Sequence, residues 1–387
     1  MKRDSVWLSL SAVLLLGASY ARWHMEAFPT KKWGNRASSF AKHEYCPDGM
    51  DQQIDLFAQV LRGREGAWPA YRHYLKNSHQ SSTYLVSVLG GPLVLLGFES
   101  AHAFVLISAA AGMGTLWLLI GLLQRCIPDD RRLRAMGLAF FLCHPATLRC
   151  FCRPQTDSLT AFFWLASVVA VWRLVERSSR GSGWWAMVCM SAATLVKIHT
   201  LSLLLLAAAT AWLAGARGSV LRRTLVVSVV LPLGFWLLVF AGLDLFGTIG
   251  IAWEYKSAHP FYAGMTAPVV VATLLVTLIP LSLPALAGLR RSGIGLPLGL
   301  AVAGFAAILG ISLIPPIMRF QYPMLAPLCL LAALGLKRCP RLRVGGWLWV
   351  GWLCLLSVSL LGILLYRREL GPTRDWQPLD ALLIHLM

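Results

Sequence analysis

Charge is what this 387-residue chain has least of. Only 13% of its residues are Asp, Glu, Lys or Arg, against 57% hydrophobic, where a soluble domain carries about a quarter charged. That excludes a water-soluble globule. Acids are scarcer still, 17 against 35 Lys and Arg. The nine cysteines include no CxxC pair and no metal-ligand spacing. Most lie in apolar runs, where a free Cys behaves as a small hydrophobe, and Cys150 and Cys152 are too close for an ordinary disulfide. There is no internal repeat, no low-complexity tract and no stretch that reads as a soluble domain.

Long apolar runs are plentiful. Candidate spans are 5–21, 101–123, 135–149, 157–175, 183–198, 200–214, 224–245, 266–289, 295–314, 322–336 and 345–366. Each is close to the length that crosses a bilayer as a helix, and helices satisfy their own backbone hydrogen bonds in lipid. The chain therefore reads as an all-α polytopic membrane protein of about 11 transmembrane helices, a single domain over 1–387 with no C-terminal soluble domain. The segment "VWLSLSAVLLLGASYA" behind Lys2 and Arg3 reads as a retained first helix. A signal peptide cleaved near Ala18-Ser19-Tyr20-Ala21 is the alternative.

The formal net charge of +18 would suggest nucleic acid in a soluble protein. Here Lys and Arg in loops set orientation and meet anionic headgroups, so no nucleic-acid partner is expected. Orientation follows from one ambiguous run, "STYLVSVLGGPLVLLGF". If it does not cross, the segments 125–134, 173–180, 217–223, 289–293 and 337–343 all fall inside with Lys2 and Arg3, and hold about 18 of the 35 basic residues. The run is read as an interfacial or re-entrant helix, broken at Gly90-Gly91-Pro92. The N-terminus is then cytoplasmic, the first outer loop is large (22–100), and the other outer segments are short. A bacterial inner membrane with the outer face toward the periplasm is expected; the endoplasmic reticulum membrane is the alternative.

That first outer loop holds the oddest stretch, "EYCPDGMDQQIDLFAQVLRGREGAW", with five acids, Glu44, Asp48, Asp51, Asp55 and Glu65. After Gly49 the pattern turns helical. Ile54, Phe57, Val60 and Leu61 form an apolar face, and Asp51, Asp55, Gln59 and Arg62 a polar one. Such a helix lies along a membrane surface. Asp48 and Asp51 fall at its start, where the helix dipole favours anions. Read on their own, these acids are caps and solvated charges.

The loop's opening acid, its Ala58–Leu61–Gly63 or Gly66–Trp68 spacing and the basic bend "YRHYLKNSHQSSTYL" resemble the GT-C superfamily of polyprenyl-phosphate-sugar glycosyltransferases. The branch is that of protein O-mannosyltransferases and aminoarabinose transferases. Three further segments resemble the family in order: "RPQTDSLTAFFWLASVVAV", "AATLVKIHTLSLLLL" and "RFQYPMLAPLCLLAALGL". The resemblance covers most of 45–340. The bend departs from it, lacking the family's prolines.

The resemblance implies transfer of a sugar from a polyprenyl phosphate to an acceptor on the outer face, at a lipid bilayer. A loop carboxylate would be the general base and steady oxocarbenium-like charge. Asp51 is the first choice and Asp48 the second. Arg319, Lys76 and Arg72 are candidates for the leaving phosphate. His79, Lys197, His259 and Tyr322 complete the substrate-binding set, with His144 a weaker candidate. Trp68, Tyr71, Tyr74 and Trp253 are candidates to stack on a sugar ring, although an interfacial aromatic belt explains most tryptophans. Asp157 reads as a helix cap. No metal site is predicted, though some relatives use a divalent ion. The alternatives are a transporter or lipid flippase, which would bury ionisable groups at mid-span, and a non-catalytic assembly subunit.

Overall fold

The computed structural model describes residues 50–77, 84–152, 156–177, 179–213, 215–248, 277–289, 294–311 and 318–370. Among the described residues every regular element is helical. In chain order they are α1 (Met50–Leu61), α2 (Ala67–Asn77), α3 (Tyr84–Leu95), α4 (Ser100–Cys126), α5 (Arg131–Leu142), α6 (Pro145–Cys152), α7 (Thr156–Arg177), α8 (Arg180–Val196) and α9 (Ser202–Leu213). Then come α10 (Gly218–Leu243, with a π turn at Val226–Val230), α11 (Ile279–Gly288), α12 (Gly295–Ile311), α13 (Met318–Arg338) and α14 (Arg343–Leu370). Described residues within 1–117 and 151–259 form one compact unit, and those within 118–150 and 260–387 a second.

Among the described residues, four helices are long and apolar enough to cross a membrane: Ser100–Cys126, Thr156–Arg177, Gly218–Leu243 and Pro340–Ser359. At 1.5 Å per residue, even the 22 residues of α7 reach about 33 Å, against a hydrocarbon core of about 30 Å. This is an all-α membrane protein. The 12-residue α3 reaches only about 18 Å.

In the first unit, α1, α2 and α3 form an up-down-up set. Gly63 (φ 66°) and Gly66 (φ 74°) make the α1–α2 turn in the left-handed region, where a Cβ is unfavourable. Helices α1 and α3 run parallel: Gln53 reaches Ser87, a Cβ on Gly90 would meet Ile54, one on Gly91 would meet Phe57 and Leu61, and Arg62 reaches the Val94 carbonyl. This corrects the expected break at Gly90-Gly91-Pro92. Helix α3 is continuous with Pro92 inside it, and the glycines remove side chains where α1 lies closest.

The buried ridge of α1 also differs from the expected one. It is Met50, Ile54 and Ala58, with Gln53 beside it, while Leu61 is exposed. The ridge joins α3, α4, α7 and α8 in one core with Val86, Phe104, Leu159 and Val196. Amphipathic periodicity places an apolar stripe, but the neighbouring helices choose which edge of it is covered.

The directions of the long helices follow from their end contacts. Asp157, in the first turn of α7, pairs with Lys197 just after α8. At the other end Arg223, near the start of α10, donates to the Ser179 carbonyl between α7 and α8 (3.0 Å). One end of the unit therefore gathers Arg177, Arg180, Arg217, Arg222 and Arg223. The opposite end gathers Asp157, Lys197 and the C-terminus of α10 at Asp244.

In the second unit the expected span 135–149 is two helices, α5 and α6, parted at Cys143–His144. His144 is buried and both ring nitrogens are used: Nδ1 accepts from the Ala146 N–H (3.1 Å) and Nε2 donates to the Thr277 carbonyl (3.2 Å). The ring holds structure and leaves no nitrogen for a sugar or phosphate. Helices α11 and α13 pack backbone against backbone at Gly288 and Gly335, a close approach that residues without a side chain allow.

A Cβ on Gly335 would lie inside the van der Waals shell of the Pro284 carbonyl oxygen. Gly335→Ala is expected to destabilise this unit by about 1–3 kcal/mol through overpacking. Gly121→Ala, with nothing within 4 Å, should not. Thermal unfolding of both variants in detergent checks this, and equal midpoints would overturn it.

Candidate functional site

The site is built on the end of the first unit opposite the arginines. Helix α1 presents Asp51 in its first turn, half-buried. Its ridge packs on Leu159 and Val196, the residues two along from Asp157 and one before Lys197. Asp51 thus belongs to the same end as that pair. On the polar face Gln59 Nε2 donates to Asp55 (2.9 Å) one turn away, which occupies Asp55 within its own helix.

Helix α2 divides into two stripes. Ala67, Tyr71 and Leu75 are buried, and the stripe Trp68–Arg72–Lys76, at steps of four, stays accessible. The buried side is pinned by a polar centre. Ser87 Oγ donates to the Tyr84 carbonyl (2.8 Å), so it accepts from Tyr71 Oη (2.6 Å) and from Gln53 Nε2 (3.3 Å). One hydroxyl joins all three short helices, and its lone pairs are filled. Burial pushes the Tyr71 hydroxyl up to about 12, so it stays a donor. Tyr71 is therefore structural and does not stack on a sugar; Trp68, exposed by 46%, is free of that constraint.

The accessible stripe meets the end of α10. Lys76 Nζ donates to Asp244 Oδ2, Arg72 Nη2 lies 3.8 Å from the same oxygen, and Arg72 Nε donates to the Leu243 carbonyl (3.3 Å). The hydrogen bond from Lys76 and its charge hold the Asp244 carboxyl below its ordinary value, with Arg72 adding to the effect. Beneath lies an aromatic cluster of Tyr71, Tyr84, Trp236 and Phe240 with Leu75, Leu195 and Leu245. Trp236 stacks on Phe240 at 4.1 Å.

Lys197 is paired with Asp157 at 2.5 Å, and both side chains are largely buried (12% and 3% exposed). Asp157 is thus more than a cap; it neutralises a lysine where the start of α7 meets the end of α8. Thr200 Oγ1 donates to the Ala193 and Lys197 carbonyls and closes the chain around it.

Arg319 and Tyr322 belong to the second unit, in the first turns of α13. Tyr322 is buried, its ring 5.8 Å from Phe141, and its hydroxyl has no partner among the described residues. The Arg319 side chain, Asp48, His79 and His259 lie outside the described residues. No three of His, Cys, Asp and Glu come together among the described residues.

Of the expected set, Arg72 with Lys76 and, separately, Asp51 with Lys197 are brought to one end of the first unit. Asp244 was not foreseen. Its one signal is a lone acid directly after an apolar run. No family model matches the chain, and no curated protein matches it.

Proposed function

We propose that this protein is a membrane glycosyltransferase of the GT-C type, moving a sugar from a polyprenyl phosphate to an acceptor at the outer membrane surface. One observation carries the reading: Asp51, Arg72, Lys76 and Lys197, drawn from three separate segments, gather at the end of the first unit opposite Arg177, Arg180, Arg217, Arg222 and Arg223. Under the positive-inside rule the arginine end is cytoplasmic, and the carboxylate and cations face the periplasm or lumen. About eleven spans carry that arrangement.

The roles follow from position. Asp51, at the start of a surface helix, is the general base toward the acceptor hydroxyl. The oxygen of that hydroxyl forms its bond to the anomeric carbon as the bond to the phosphate oxygen breaks, and Asp51 takes the proton. Arg72 and Lys76 neutralise the leaving phosphate, with Arg319 a further candidate. Lys197 supports the site through Asp157 and does not bind the donor. Charged side chains collect at helix ends rather than at mid-span, which favours chemistry at an interface over a transport path.

Native mass spectrometry of the purified protein is expected to find a bound polyprenyl phosphate or its glycosylated form. Its headgroup mass names the sugar. Only ordinary phospholipids, even after polyprenyl phosphate is added, would overturn the reading.

A further inference from the structure

Two cations and one carboxylate meet where α2 touches the end of α10, from positions 168 residues apart. We propose that Arg72 and Lys76 form a site for a phosphate-ester anion, and that Asp244 is its resident occupant, displaced when the phosphate arrives. The proposal rests on the reading of this cation pair as the donor's phosphate site and adds the residue that gates it.

Charge is the first argument. One carboxylate is shared by two cations, so the trio keeps a net positive charge. A phosphate monoester offers up to two negative charges and three acceptor oxygens, a fuller match to a guanidinium and an ammonium. Accessibility is the second. The Arg72, Lys76 and Asp244 side chains are 41%, 37% and 59% exposed, so a ligand reaches them, and an exposed ion pair is easily parted.

The backbone supplies the third argument. Asp244 sits at φ 55°, ψ 50° and is the sole non-glycine with positive φ among the described residues. It closes α10, a position that favours glycine or asparagine. The closing bonds, Asp244 N–H to Ala241 (3.1 Å) and Leu245 N–H to Phe240 (2.9 Å), need no carboxylate. The helix end does not explain the acid; the cations do. Arg72 also has a second hold on α10 through the Leu243 carbonyl, so α2 stays anchored when the carboxylate swings away. The cluster beneath leaves two buried donors, Tyr84 Oη and Trp236 Nε1, without a partner among the described residues, and the exposed Trp68 lies on the same stripe as the cations.

The test compares wild type, Asp244→Asn and Arg72→Ala/Lys76→Ala in phosphatidylcholine nanodiscs. Undecaprenyl phosphate is titrated by native mass spectrometry, and inorganic phosphate serves as competitor. Asn keeps the left-handed backbone and loses the charge. It is expected to bind undecaprenyl phosphate roughly three- to tenfold more tightly than wild type, and the double alanine variant to lose most of the binding. Equal affinity of wild type and Asp244→Asn, both lost with the cations, overturns the gating role and leaves the phosphate site standing. A lower melting temperature with weaker binding in Asp244→Asn makes the contact a structural latch and also overturns the proposal. Binding indifferent to the cations removes the phosphate site, and the proposal with it. A gain for inorganic phosphate alone supports the exchange, assigns the site to free phosphate and counts against the glycosyltransferase reading.

Discussion

Asp51→Asn is expected to lower sugar transfer by roughly 10²–10⁴-fold, the usual contribution of a positioned general base, with donor binding unchanged. Asn has nearly the same shape and keeps hydrogen-bonding capacity, but it cannot take the acceptor's proton. Its structural cost is small: Asp51 is half-buried in the first turn of α1, and losing its interaction with the helix dipole costs about 0.3–1 kcal/mol. The control is Asp55→Asn, one turn along on the same face, where Gln59 already holds the carboxylate; transfer should survive it. The measurement is release of polyprenyl phosphate from its glycosylated form in proteoliposomes, with folding followed by thermal shift. Asp48→Asn run in parallel decides between the two acids. If both variants fold and turn over donor at the wild-type rate, no loop carboxylate is the base and a non-catalytic role gains ground.

The largest stability effect is expected at Lys197. Lys197→Met takes away the ammonium that pairs with the Asp157 carboxylate, which is 3% exposed. Breaking one side of a buried pair costs about 3–5 kcal/mol, whereas replacing both partners can be near neutral. Lys197→Met/Asp157→Asn should therefore recover most of what Lys197→Met loses. Thermal unfolding in detergent of the two single variants and the double gives the coupling directly. The same cycle separates the pair from a ligand role. A lysine that held the donor phosphate would, when replaced, lose lipid binding that the second substitution does not restore. A stable Lys197→Met with weakened lipid binding would return Lys197 to the substrate-binding set.

Composition alone sets the class of this protein. Scarce charge and long apolar runs leave no soluble alternative, because a helix is the way such runs satisfy their backbone in lipid. The sequence also sets α1 as an amphipathic helix with an acid at its start, since both follow from local periodicity and end chemistry. Tertiary structure decided the partners. Lys76 and Asp244 are 168 residues apart, and Lys197 and Asp157 are 40 apart; no local pattern couples them, and only the docking of α2 on α10 and of α7 on α8 does. It decided that Tyr71 is a structural donor, because Ser87 comes from another helix. It decided, too, which apolar faces are covered: α7 is mostly buried and α10 mostly exposed, though both are apolar enough to span. Lipid tails are as apolar as a protein interior, so hydropathy carries no record of which of the two a side chain meets.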